Sequence, residues 1–328
     1  MNLKICVIGC GGIAKNYHGP SLVRYQEERG GIELAGCCDT DAVKAEDFRK
    51  NFGFSSSWEN MNEMIDRIDP DGLLLLLPPK DTAKHAEKIL RRRIPSLIEK
   101  PPGMTRDETE RLAAAARQTD TFAMTAFNRR FMPTAVEAKS AISSVGIRLI
   151  RYTFTRANRL DPDFTTTCIH GIDTLRFLSG SDYRFLEFQY REYPDNPGVY
   201  DIFARGEMIS GCPAELVFFP LSGTVTERCE IYQQNRNIYV NLPVWNNIDS
   251  PGIIRMLTPD DYQEIAGSRK TDEITLNGFF GEVSSFLDIV KGVCSPEDFE
   301  GSVCTLSSSV QPVEIAQAMR ERRKSWQN

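Results

Sequence analysis

Three stretches of the chain carry side chains whose types and spacing can do chemistry. Gly9-Cys10-Gly11-Gly12-Ile13-Ala14 spells G-x-G-x-x-A directly after the apolar run Leu3–Ile8. In a strand-to-helix turn each small residue plays a distinct part. Gly9 permits the tight turn, Gly11 lets backbone amides approach a pyrophosphate, and Ala14 keeps the helix close to the sheet. The positive end of that helix then faces the phosphates, which makes Gly11, Gly12 and Ile13 candidate cofactor contacts. A second apolar run ends in Cys37-Cys38-Asp39, and an acid there can accept hydrogen bonds from the ribose hydroxyls of an adenosine half. Asp39 would repel a 2′-phosphate and no arginine follows it directly, so NAD is favoured over NADP. Glycine turn and acid taken alone also fit S-adenosylmethionine, or a bare βα turn with Asp39 as a helix N-cap. In the third stretch, Leu97-Ile98-Glu99-Lys100-Pro101-Pro102-Gly103, a charged pair falls where a strand should end. A lysine at the carboxyl edge of such a sheet can donate to a substrate hydroxyl or carbonyl and hold positive charge against a developing alkoxide. A solvated Glu-Lys pair at a strand end would look the same in isolation.

These residues need a scaffold, and the chain supplies a legible one. Leu3–Ile8, Ile32–Cys38, Phe54–Ser57, Gly72–Leu77, Pro95–Ile98 and Thr121–Ala126 are strand candidates, alternating with helical patterns. Gly53 should close a helix beginning near Asp41, and Thr105-Arg-Asp-Glu108 is a capping box. The first helix extends through Arg24–Arg29 to Gly30-Gly31, which accounts for the wide separation of Ala14 from Asp39. Strict alternation predicts an α/β unit with a parallel, doubly wound (Rossmann) sheet, and the five leucines 73–77 fit a central strand covered on both faces.

After residue 126 the texture changes to long strands, Arg148–Arg156, Phe185–Glu192, Ala214–Pro220, Thr224–Gln233 and Asn237–Leu242, with Cys168–Ser179 helical among them. Two helical patterns, Gly278–Gly292 and Val303–Arg323, follow. The expectation is a dinucleotide-binding domain over residues 1–125 and, over 126–328, an α+β domain with a mostly antiparallel open sheet.

Bulk properties exclude several classes. The 328 residues carry a formal charge of −6 with the acids spread along the chain, so there is no basic footprint for nucleic acid or an anionic membrane. Nine cysteines, many within strand-like runs and none in a zinc-ligand spacing, read as reduced core thiols, and no metal site is expected. With no signal-like leader and no run of membrane-spanning length, a cytoplasmic protein is expected.

The order and spacing of further pieces resemble those of the glucose–fructose oxidoreductase, inositol dehydrogenase and rhizopine-catabolism (Gfo/Idh/MocA) family. The pieces are Gly9–Ala14 with His18, Asp39, Leu77-Pro78 with His85, Glu99-Lys100-Pro101, Phe127-Asn128-Arg129-Arg130-Phe131 with Pro133, His170-Gly-Ile-Asp173, and Asn277-Gly278-Phe279 with Glu282. The resemblance implies hydride exchange between nicotinamide and a hydroxyl or carbonyl carbon of a sugar, cyclitol or sugar derivative, and a homo-oligomer formed through the carboxyl-terminal sheet. Carried over, Lys100 touches nicotinamide and substrate and His170 is the acid/base, able to take a hydroxyl proton as hydride leaves the same carbon. Asp173, three positions on, is expected to orient the ring or bind substrate. Pro78, Glu99 and Asn128 join the cofactor contacts, and Arg129 the substrate contacts. Inositol-dehydrogenase-like members carry an aspartate four residues before the histidine, a position that is Thr166 here; a threonine can bind a substrate hydroxyl but not act as a carboxylate. That departure keeps open a dinucleotide-binding sensor without catalysis. His18 and His85 read as structural, Arg130 equally as a surface residue, and Arg156 and Arg159 as a solvated loop in preference to a reader of substrate phosphate or carboxylate.

Overall fold

The computed structural model describes residues 2–142, 146–161, 163–299 and 301–328. Its backbone divides into two units, Met1–Asn128 with Phe279–Val310, and Arg129–Gly278 with Gln311–Asn328.

The first unit is a six-stranded sheet of β1 (Leu3–Ile8), β2 (Ile32–Cys38), β3 (Ser56–Trp58), β4 (Gly72–Leu75), β5 (Ser96–Glu99) and β6 (Ala123–Ala126), in the order β3-β2-β1-β4-β5-β6. Every pair is parallel. Helices α1 (Gly19–Arg29), α2 (Ala42–Phe52), α3 (Met61–Ile68), α4 (Pro79–Arg91) and α5 (Arg106–Thr119) connect the strands. The order reverses between β1 and β4, the topological switch where open α/β sheets bind ligands beyond their strand ends. The leucine run behaves as expected of a central strand, Leu73, Leu74 and Leu75 being fully buried and Leu76 nearly so, but β4 ends at Leu75 because the chain turns toward Pro78. Local signals set the helix ends. Asp41 accepts from the amides of Val43 and Lys44, and Gly53 closes α2 in the left-handed region at φ +73°. Thr105 caps α5, but Glu108 returns its hydrogen bond to the amide of Met104 rather than to Thr105 itself, so the capping box is displaced by one residue.

The second unit holds a nine-stranded sheet of β7 (Ile147–Thr155), β8 (Tyr183–Tyr193), β9 (Asn196–Met208), β10 (Pro213–Phe219), β11 (Thr226–Gln233), β12 (Arg236–Asn241), β13 (Ile253–Leu257), β14 (Tyr262–Ala266) and β15 (Ser325–Gln327). Its order is β14-β13-β12-β11-β7-β10-β9-β8-β15, antiparallel except where β10 runs parallel to β7. Helices α6 (Pro133–Ala141), α7 (Thr165–Ser179) and α8 (Glu273–Leu276) belong to this unit. Residues alternate along the strands, so that on β7 Ile150, Tyr152 and Phe154 are buried while their neighbours remain partly exposed.

Several elements escape the sequence pattern, β9 and α6 among them. Strand β9 runs unbroken through Gly206, where a Cβ would stand 2.0 Å from the Phe185 carbonyl oxygen, so the glycine marks a close backbone approach. Helix α6 has Pro133 in its first turn and buries small residues, Thr134, Ala135 and Ala138, in place of a broad apolar stripe. The expected boundary at residue 125 precedes the division at Asn128, and placing everything beyond it in the second domain is corrected for residues 279–310. Helix α9 (Phe279–Val290) packs on the parallel sheet, since a Cβ on Gly72 would lie 3.6 Å from Val290 and 3.7 Å from Phe286. Helix α10 (Leu306–Arg320) spans the second division, at Val310. Eight of the nine cysteines are buried and none is disulfide-bonded. Among the described residues no helix is long and apolar enough to cross a membrane, and no group of three or more His, Cys, Asp or Glu side chains is arranged to hold a metal ion.

The α2 cap gives a direct check on how the sequence places the chain beyond Asp39. Asp41→Ala orphans two amides and should lower the denaturant midpoint of unfolding, whereas Asp41→Asn should retain most of the cap.

Candidate functional site

In the first unit the glycine turn lies at the switch point. Gly9 has φ +95°, and a Cβ there would sit 2.3 Å from the carbonyl oxygen of Leu76 at the end of β4, so only glycine fits. At Gly11 and Gly12 a Cβ would meet nothing within 4 Å, which leaves the turn's backbone approachable from outside. The turn thus leaves room for a pyrophosphate, which the amides of Gly11, Gly12 and Ile13 would hold. The helix that follows opens as one π-helical segment, Ala14–His18, with the Gly19 amide donating to the Ala14 carbonyl, before α1 proper begins. Such segments in place of plain α-helix recur at functional sites.

Asp39 stands half-buried at the carboxyl end of β2. One carboxylate oxygen accepts from the Cys10 amide at 2.9 Å and the other from Asp41 at 3.0 Å. The acid thus braces the glycine turn, and its remaining lone pairs suit ribose hydroxyls. Pro78 precedes α4, where the Thr82 hydroxyl donates back to its carbonyl at 3.1 Å. His18, wholly buried, places Nε2 3.4 Å from Oε1 of Glu99, while Oε2 of Glu99 accepts from the Lys100 amide at 2.9 Å. The charged pair read from the sequence is therefore no solvated couple, because Glu99 is 8% exposed and fixes the backbone from which Lys100 projects. Asn128 is buried at the start of a 3-10 turn, Asn128–Phe131. His85 is half-buried on α4, and burial, then Lys88, lowers its pKa.

The second unit assembles the other expected residues around α7. His170 is 5% exposed, with Nε2 3.3 Å from Nη1 of Arg129. A guanidinium has no acceptor, so Nε2 must accept, and a neutral ring then carries its proton on Nδ1. Arg129 is held from behind by Glu227 on β11, through Nε at 3.3 Å and Nη2 at 2.9 Å. Arg156 bonds the same carboxylate, the Tyr152 hydroxyl donates to it at 2.7 Å, and Glu227 has no exposed surface. Burial alone would raise the pKa of Glu227, but Arg129 and then Arg156 outweigh it and hold the group at about 2. Tyr152 is pushed well above its usual range by burial and by the same carboxylate.

Several expectations change here. Asp173 is buried on α7 with His170, but its two oxygens are taken by Arg130 at 2.8 and 2.7 Å, with Arg176 at 3.7 Å, so it anchors α7 to the segment after β6. Arg130, 5% exposed, is not a surface residue. Arg156, 4% exposed with its guanidinium 3.7 Å from the Phe154 ring centre, is no solvated loop residue, whereas Arg159 pairs with Asp161 and stays half-exposed. Thr166 sits in the first turn of α7, its hydroxyl donating to the Asp163 carbonyl at 2.9 Å. Arg129 is wedged between Glu227 and His170 rather than projecting outward. Sequence reasoning misses Glu227, although a signal exists: with Cys229, Ile231 and Gln233 it occupies the buried positions of an alternating strand, where a lone carboxylate demands cations.

A parallel sheet with a glycine turn at its switch point and an acid on the next strand defines a dinucleotide-binding domain, here followed by a domain built on an open sheet. Residues 3–127 match the model of the GFO_IDH_MocA oxidoreductase family, NAD-binding Rossmann fold. A stretch of 157 residues is 24% identical to D-glucoside 3-dehydrogenase of Escherichia coli, covering 48% of this chain and 44% of that one. Another, of 139 residues, is 32% identical to glucose-6-phosphate 3-dehydrogenase of Bacillus subtilis, covering 42% and 37%. These matches span less than half the length of either relative. Over 98% of both chains the fold superposes on KijD10, a 3-ketoreductase from Actinomadura kijaniata solved with NADP and TDP-benzene, at a TM-score of 0.78 and 20% identity.

Removing the Glu227 charge should be costly because it leaves two guanidiniums buried around a neutral group. Glu227→Gln should lose about 3–5 kcal/mol of unfolding free energy at neutral pH. The native pKa is depressed, so the carboxylate's contribution is present above the unfolded value of about 4.3 and fades as pH falls toward about 2. Denaturation curves of the two proteins should accordingly converge over that acid window.

Proposed function

We propose that this chain transfers a hydride between the nicotinamide of NAD and a hydroxyl-bearing carbon of a sugar, cyclitol or sugar derivative. The reading rests first on the glycine turn at the β1/β4 switch, braced by Asp39, and on the oxidoreductase family model that residues 3–127 match. Bound NAD supplies the hydride acceptor. Gly11, Gly12 and Ile13 hold its pyrophosphate, Asp39 its adenosine ribose, and Pro78 and Asn128 border the nicotinamide half. The Asp39 carboxylate disfavours a 2′-phosphate, so NAD is preferred to NADP. Lys100, its backbone tied to Glu99, polarises the reacting oxygen and holds positive charge against the alkoxide. His170 receives the hydroxyl proton as hydride leaves the carbon and returns it in the reverse direction. For Nε2 to take that proton it must exchange Arg129 for the substrate hydroxyl, while Glu227 keeps Arg129 from following. Thr166 contributes a hydroxyl to substrate, Asp173 supports α7, and the partly exposed face of the nine-stranded sheet is the surface for self-association of this cytoplasmic enzyme.

The roles of these residues separate cleanly by experiment. His170→Asn should lower kcat about 10²–10⁴-fold on any polyol the wild type oxidises, with NAD affinity unchanged. Gly11→Val should weaken NAD binding without altering the melting temperature, since its Cβ meets open space. An undiminished rate in the His170 variant removes that residue from the chemistry, and tight NAD binding with no turnover on a broad panel would indicate a sensor.

A further inference from the structure

One strained residue beside the His170 network plays no part in the proposed proton transfer. Trp245, between β12 and β13, has φ 54° and ψ 39°, and Asn246 after it has φ 54°. The left-handed region is easy for asparagine but not for tryptophan, where it is strained and persists only if the surroundings enforce it. Asn277 enforces it: its side-chain oxygen accepts the Trp245 amide at 3.0 Å, and its nitrogen donates to the Glu273 carbonyl at 3.0 Å. Asn277 is 2% exposed and lies between α8 and Gly278, itself at φ +81°. The Asn277-Gly278 pair marked in the sequence thus holds one tryptophan in a conformation that it would not otherwise adopt.

The indole lies near the chemistry. Its ring centre is 5.7 Å from the Arg129 guanidinium carbon, and that guanidinium touches Nε2 of His170 at 3.3 Å. Trp245 is half-buried, so part of its surface is presented and not packed away. Backbone strain spent on presenting a flat apolar face beside an acid/base group has a ready chemical use. A pyranose or cyclitol shows one face of C–H bonds between rims of hydroxyls, and an aromatic ring covers such a face while neighbouring polar groups take the rim.

We propose that Trp245 is a substrate-binding and specificity residue, its indole stacking on the C–H face of a cyclic polyol whose reacting hydroxyl meets His170. The inference rests on the sugar-like substrate proposed above and narrows it to ring forms, because an open-chain polyol offers no flat apolar face. The test pairs kinetics on cyclic and acyclic polyols with tryptophan emission, to which only Trp58, Trp245 and Trp326 contribute. Trp245→Ala should raise KM for cyclic polyols about tenfold or more, with KM for NAD and for acyclic polyols unchanged, and Trp245→Phe should retain much of the affinity. In the His170→Asn background, adding a cyclic polyol should change the emission, and the change should vanish when Trp245→Phe is added. Trp245→Asn places at this φ a residue that tolerates it, and should keep or raise the melting temperature while weakening substrate binding.

Unchanged cyclic-polyol KM in Trp245→Ala overturns the inference and leaves the proposed reaction standing. A melting temperature that collapses in Trp245→Asn, with KM intact in Trp245→Phe and no emission change on adding sugar, shows a purely structural tryptophan and also overturns it. An emission change that depends on Trp245 in a protein that oxidises no polyol upholds the inference and removes the reaction instead.

Discussion

A carboxylate with no exposed surface cannot stay ionised unless cations surround it, and Glu227 meets that condition with two buried arginines and a tyrosine hydroxyl. Much else in the second unit depends on the arrangement. Glu227 and Tyr152 come from adjacent strands, β11 and β7, while Arg129 comes from the segment after β6 and Arg156 from the end of β7. The shared carboxylate therefore ties the sheet to the residues that precede α6. Arg129, gripped through Nε and Nη2, has Nη1 left to reach His170, and that contact sets which ring nitrogen accepts. Arg130, one residue on, performs the parallel service for α7 through Asp173. Adjacent arginines thus anchor the sheet and the histidine-bearing helix from a single turn of chain.

The first unit solves a different problem with backbone instead of charge. Gly9 lies so close to Leu76 that no side chain is possible, and the turn continues into a π-helical segment that ends at buried His18. His18 meets Glu99, which in turn holds the Lys100 amide, so the glycine turn after β1 and the lysine after β5 are linked through one histidine and one carboxylate. A single sheet edge thereby carries the glycine turn, Asp39 and a lysine whose backbone is fixed.

The sequence is most legible where local rules act alone. Gly9, Asp39, the helix start near Asp41 and the Gly53 stop follow from short-range sterics and hydrogen bonding and stand where the pattern puts them, while the leucine strand forms but stops at Leu75, short of Leu77. It is least legible where charges from distant segments meet. Arg130 and Arg156 resemble solvated residues in a sequence, because nothing local announces Asp173 or Glu227 as partners. Helical spacing puts Asp173 on the side of His170, but its occupation by Arg130 depends on pairing between segments 43 residues apart. The return of residues 279–310 to the first unit is likewise a matter of which apolar face α9 covers. Trp245 gives no warning, since a left-handed tryptophan is visible only in φ and ψ.

Direct hydride exchange between substrate carbon and nicotinamide leaves an isotopic trace. The protein is offered NAD together with ring polyols deuterated at their carbinol carbons, and the reduced cofactor is measured by mass spectrometry. The proposed reaction carries one deuterium into the nicotinamide ring, with the hydroxyl proton lost to solvent. NAD that binds but gains no label from any ring polyol would contradict it.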